Sequence, residues 1–211
     1  MTDSINSIEN IFINCPFDKS YERLFRPLIF TIQVCGFNAR CAKERFDVSE
    51  IRLEKIFELI NISKFSIHDI SRVEIDKNTN FPRFNIPFEL GIFVGAKQFG
   101  SENNQKNYLV LDKNSHRFKN FLSDIAGCDI AGHNNTIKTL IQEVRNWLFH
   151  NIETNLPGND KINQHYQQFS KMLPLILKEL GITNSHLTFR EYLHIVTAWL
   201  DVYPLHRPLK N

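Results

Sequence analysis

The chain lacks a charge excess of either sign: 25 basic residues stand against 23 acidic ones in 211. Up to residue 150 the count is 19 against 18, and beyond it 6 against 5. Neither part offers the basic surplus that phosphate-contacting proteins use, which argues against nucleic acid as the partner. No apolar run approaches the roughly 18 residues of a membrane span. Thr2, Asp3, Ser4 and Asn6 build no signal peptide, so a cytoplasmic protein is expected. The four cysteines, Cys15, Cys35, Cys41 and Cys128, form no C-x-x-C pair. A chain of this length builds a core without staples, and they read as reduced thiols. Neither G-x-G-x-x-G nor a P-loop lysine occurs, which argues against dehydrogenase-type dinucleotide binding and P-loop chemistry. The eight histidines are scattered without metal-ligand spacing, so no metal is expected. No internal repeat or low-complexity tract is present.

What is present is a globular composition, 42% hydrophobic and 23% charged, with 18 phenylalanines that promise an aromatic core. Short β-rich runs alternate with helical patterns over the first 150 residues. Strands are predicted at 10–14, 37–42, 64–71, 108–112 and from Cys128 onward. Between them fall a helix after Asp18 that Gly36 stops, and one opened by an Asp47/Glu50 capping box with Ile51, Ile56, Leu59 and Ile60 on one face. Further helices are predicted over 85–97, with Pro87 in its first turn, briefly over 118–125, and over 136–149. This alternation predicts a parallel α/β sheet of flavodoxin-like type flanked by helices, covering 8–153. Leu156-Pro-Gly-Asn-Asp160 reads as a linker to a helical extension over 160–205, whose second helix opens with Thr188-x-x-Glu191. Its apolar stripes (Leu173, Leu177 and Leu180; Tyr192, Val196, Trp199 and Leu200) suit either packing on the sheet domain or assembly with another chain.

Ligands of open parallel sheets bind outside the carboxyl ends of the strands. Three segments should meet there: Asn14–Asp18, His68–Arg72 and Arg83–Glu89. They supply carboxylates (Asp18, Asp69, Glu89), guanidiniums (Arg72, Arg83), amides (Asn14, Asn85) and the Phe17 ring. Charge for phosphate, acid for ribose hydroxyls and a ring for a base together suit a nucleotide. Polar residues at strand ends also simply cap and solvate loops. Alternation along the strand puts His68 and Asp69 on opposite faces, which argues against a dyad between them. Asp124, Asp129 and His133 are further residues that the fifth strand brings toward this edge. Cys15 reads as a buried apolar residue in preference to a nucleophile. Gly91 and Gly95, four apart, read as letting their helix approach the sheet closely.

The segment Asn85-Ile-Pro-Phe-Glu-Leu-Gly-Ile-Phe-Val-Gly95 resembles the F-E-L-G helix opening of nucleoside 2-deoxyribosyltransferases. It resembles still more the N-x-x-F-E-L-G-x-F-x-G element of bacterial TIR-like nucleotide-binding domains, a group that includes NAD-cleaving effectors of anti-phage defence. Phe65–Arg72 resembles the strand that precedes this element, and with Phe12–Phe17 the resemblance spans about residues 10–115. It implies N-glycosidic bond chemistry at Glu89, with NAD as a substrate and no resident cofactor. The short Cys15-Pro16-Phe17 turn departs from the longer loops common after the first strand of TIR families, and residues 156–211 match no family pattern.

The residues add their own argument. A glutamate in a first helical turn gains from the dipole, yet this one lies between Phe88 and Leu90 in a strongly apolar helix. A desolvated carboxylate there can stabilise or attack a ribosyl cation, with Arg72 and Arg83 on phosphate and Asn14, Phe17, Asp69 and Asn85 in the pocket. The expectation is an NAD-cleaving hydrolase. The alternatives are a nucleoside deoxyribosyltransferase or nucleosidase, a non-catalytic nucleotide sensor signalling through the C-terminal helices, and a pure interaction module.

Overall fold

The computed structural model describes residues 9–44, 51–75, 80–100, 105–125, 130–152 and 155–205. Five strands, β1 (Asn10–Asn14), β2 (Asn38–Cys41), β3 (Phe65–Asp69), β4 (Asn107–Asp112) and β5 (Ile130–Gly132), form one sheet in the order 2-1-3-4-5. Every pairing is parallel. Six helices flank it: α1 (Glu22–Val34), α2 (Arg52–Asn61), α3 (Asn85–Phe99), α4 (Ile137–Asn151), α5 (Asn159–Glu179) and α6 (Phe189–Val202). This is a flavodoxin-like parallel α/β fold, and its strand order reverses between β1 and β3.

Period-two alternation sorts the core. Ile11, Ile13, Phe65, Ile67, Leu109 and Leu111 face α1 and α4, whereas Phe12 and Val110 face α2 and α3. The first face is two helical layers deep. Phe169, Leu173 and Leu177 of α5 and Tyr192 and Val196 of α6 belong to the same buried cluster as α1 and α4. Their stripes are thus spent on packing, with Phe30 stacked on Phe169 at 5.2 Å, while Leu180 stays exposed. The stretch expected to be a linker is likewise held down. Leu156 is buried, and Arg145 donates to the carbonyls of Leu156 and Pro157.

Helix ends follow from local chemistry. Gly36 takes φ +85°, where a side chain would be strained, and ends α1. Thr188 and Glu191 form both hydrogen bonds of a capping box at α6. Asp18 sits upstream of α1, whose N-cap is Tyr21, and accepts from the Ser20 and Tyr21 N–H groups in the preceding turn. Lys106 donates to the Ile60 and Ser63 carbonyls at 2.7 Å and so closes the end of α2. Some boundaries differ from expectation. Ile51 is exposed, and the helix near 118–125 is a pair of 3-10 turns. The Asp47/Glu50 box, Cys128 and Asp129 lie outside the described residues. No described helix is long and apolar enough to cross a membrane.

The two glycines of α3 correct the sequence reading. A Cβ built on Gly91 or Gly95 meets no atom within 4 Å, so both open outward and neither serves contact with the sheet. The sheet side of α3 is taken by Ile86, Leu90 and Phe93.

Candidate active site

Where neighbouring strands send their helices to opposite faces, a crevice opens at the carboxyl edge. Here it lies between β1, which continues through Asn14 and Cys15, and β3, which continues through Asp69 and Ile70 into the loop toward α3. On the α3 side, the Asn14 Nδ2 group donates to the Ile86 carbonyl and to His68 Nδ1, both at 3.0 Å. His68 Nδ1 is then an acceptor, so its proton sits on Nε2, 2.9 Å from Ser66 Oγ. Burial pushes the imidazole down to about 3, and it stays neutral between the rings of Phe12 and Phe93. Asn14, expected in the pocket, is instead consumed in fastening the start of α3 to β1 and β3.

Glu89 is the fifth residue of α3, beyond the first turn, so the helix-end reading of it does not apply. Only 7% of its surface is exposed, and among the described residues it makes no hydrogen bond or ion pair. Burial raises its carboxyl from the usual 4.5 to about 7, with the Arg52 guanidinium at the start of α2 opposing the rise. Its field also reaches Cys15 at the end of β1. A desolvated carboxylate without a fixed partner, at a strand-end crevice, has the electrostatics of a catalytic group.

The other face of β3 holds a separate cluster. Asp69 is 0% exposed and accepts from the Tyr21 hydroxyl and, at 2.9 Å, from the Ser71 N–H. His133 Nδ1 accepts from the Asn135 N–H, which leaves Nε2–H facing Asp69 Oδ2 at 3.3 Å. That contact is too far off line to count as a hydrogen bond. Asp69 and His68 indeed lie on opposite faces, but Asp69, expected to touch ligand, is closed in. Cys15 is buried beside it, and burial with the Asp69 charge holds its thiol well above the usual range. It is no thiolate nucleophile. We expect Asp69→Asn to cost about 2–3 kcal/mol of stability, because the amide keeps one acceptor oxygen where the carboxylate uses two, one for the Tyr21 hydroxyl and one for the Ser71 N–H. Urea unfolding measures this. A variant as stable as the parent but weakened only in ligand binding would return Asp69 to the pocket.

Arg72 and Arg83 do converge, on the turn after β1. Arg72 donates to Ser20 Oγ at 2.8 Å, and Arg83 lies 3.6 Å from Asp18. Burial works against the Asp18 charge, but its bonds from Ser20 and Tyr21 and the two arginines lower its pKa overall. Asn85 is exposed at the first position of α3, whereas Phe17 packs edge-on against Phe25 at 5.6 Å beneath Lys43. Further along, Arg117 clamps Asp112 and also donates to the Ile70 carbonyl, joining the ends of β3 and β4. Asp124 is exposed in a 3-10 turn.

Glu89 and the arginine turn thus share one edge, with Asp69 sealed behind them. The chain matches no protein-family model and no curated protein. Two surface concavities lie elsewhere, about 470 Å³ along 174–184 and about 300 Å³ between β2 and α6. The first is mainly apolar, and in the second Arg40 is paired with Glu44. The buried Glu44 of the second is spent on Arg40, so neither shows a buried acid without a fixed partner to set against Glu89. Arg52 escaped the sequence reading because its relation to Glu89 joins two helices with no motif between them.

Proposed function

We propose that the chain hydrolyses the N-glycosidic bond of a nucleotide, with NAD the favoured substrate and Glu89 the catalytic residue. One observation carries this reading: a nine-tenths buried glutamate, unpartnered among the described residues, at the crevice where this fold class binds ligands. As the C1′–N bond breaks, its electron pair leaves with the nicotinamide, which becomes neutral. Positive charge builds on C1′ and the ring oxygen, where the Glu89 carboxylate stabilises or traps it. Water then adds to C1′ and releases a proton. Arg72 and Arg83 would exchange their contacts with Ser20 and Asp18 for the phosphates.

The placement of Asp69 supports a cationic leaving group. A neutral purine or pyrimidine departs far better when protonated, which calls for a second acid beside the Glu89 carboxylate, and β3 supplies one carboxylate, Asp69. It is sealed on the opposite face of β3 and committed to internal donors. Nicotinamide needs no such proton. A role as an effector of anti-phage defence rests on the resemblance of the 85–95 segment and belongs to the same proposal.

The test is incubation with NAD and with a panel of nucleosides, followed by chromatography for released base. Nicotinamide release supports the proposal, and base release from nucleosides only would reassign the substrate. The pH profile gives a second check. The carboxylate is the active form, so kcat should fall as pH drops through about 7 and level off above it. A profile flat from pH 5.5 to 8.5 would separate catalysis from Glu89.

A further inference from the structure

The outward face of α3 is apolar and uncovered. At 100° per residue, Phe84, Phe88, Gly91, Gly95 and Phe99 fall on one stripe. The three rings are exposed by 67%, 56% and 86%, and Phe81 just before the helix by 72%. An aromatic-rich helix face normally turns inward. Here the opposite face already meets the sheet, so the helix is apolar on two sides with only one of them used. We propose that a second copy of this chain covers that face, the two α3 helices crossing antiparallel at Gly91 and Gly95.

Three observations favour a second copy over another partner. The first is shape. The stripe has rings at both ends and two glycines open to solvent between them. An antiparallel crossing sets glycine against glycine and brings Phe99 beside the partner's Phe88, so the surface is complementary to itself. The second is charge. A two-fold axis places like charges near one another, and this stripe carries none. Of the two charged residues of α3, Glu89 is buried and Lys97 lies over the Tyr108 ring at 5.3 Å. The third is area. A phenylalanine has roughly 150–250 Å² to bury, so the four rings at these exposures offer about 500 Å² of apolar surface. A standard interface takes about 800 Å² from each partner, some 60% of it apolar, which is again about 500 Å². On the adjoining α2, Leu53 and Phe57 are exposed as well.

The experiment is sedimentation equilibrium of the full chain, of Phe99→Glu and of Gly95→Leu. The parent should be a dimer with a dissociation constant of about micromolar order, and each substitution should raise it at least about tenfold. Gly95→Leu guards against misfolding as the cause. Its side chain enters open space in the single chain and improves helix propensity, so at concentrations well below the dissociation constant, where both are monomers, its Tm should equal or exceed the parent's. A parent that stays monomeric at about 100 micromolar overturns the proposal, that concentration being roughly a hundredfold above the expected constant. So does an assembly that both variants leave as tight as before. Neither result bears on Glu89 chemistry, since neither substituted residue lies at the crevice.

Discussion

Glu89→Gln should remove base release and at the same time make the protein more stable. The amide keeps the shape of the side chain and deletes the charge aimed at the ribosyl cation. Losing a charge of that kind costs about 3–4 kcal/mol of transition-state stabilisation, or a hundredfold to a thousandfold in kcat. The gain in stability follows from linkage. Glu89 titrates near 7 when folded and near 4.5 when exposed, so between those values the folded state holds the extra proton. Stability therefore falls as pH rises from about 4.5 to 7, by up to about 3 kcal/mol, and stays lost above 7. A glutamine never ionises, so the variant should escape that loss and lack that slope. Urea titrations at pH 5 and pH 8 beside a single-turnover assay read both effects. Normal turnover in Glu89→Gln, with the pH slope gone, would leave Glu89 as a buried acid without a catalytic role.

A chain ended after Asn155 should not fold. Ile162, Tyr166, Phe169, Leu173, Leu177, Phe189, Tyr192, Ile195 and Val196 are buried against the α1/α4 side of the core. At about 1.5–3 kcal/mol for each buried large side chain, the gross loss is roughly 14–27 kcal/mol, as large as or larger than the 5–15 kcal/mol net stability of an ordinary domain. The truncated chain should be insoluble, or soluble without a cooperative melt. A folded, active product would show that α5 and α6 are an accessory layer and restore them as candidates for assembly.

How far the sequence could be read depended on how local each cause was. β1 was legible to the residue because N-I-F-I-N is a compact apolar run followed by proline, and α6 because Thr188 and Glu191 are three apart. The flavodoxin-like class followed from alternation alone. Leu156-Pro-Gly had the composition of a linker, and only the contacts of Leu156 and Arg145 show it held in place. Gly91 and Gly95 gave the right spacing and the wrong direction, since a helix apolar on every side carries no periodicity to say which face meets the sheet. Glu89 and the arginine turn were legible as members of one edge. The meeting of Asp69 with Tyr21 and His133 was not, because it depends on strand order and on contacts 48 and 64 positions apart.

The unequal thickness of the two sides bears on where the molecule opens. The amides of α1 and α4 lie under a second tier of helices, while those of α2 and α3 are one layer from solvent. In the single chain, breaching the thin side requires giving up less buried surface, so there it forms the lower-energy opening unit of the fold. Glu89 is placed on that side, fastened to the rigid sheet by the Asn14 bond to the Ile86 carbonyl. The catalytic proposal thus sets the carboxylate on the more yielding wall of the crevice and the phosphate-facing turn on the more rigid one.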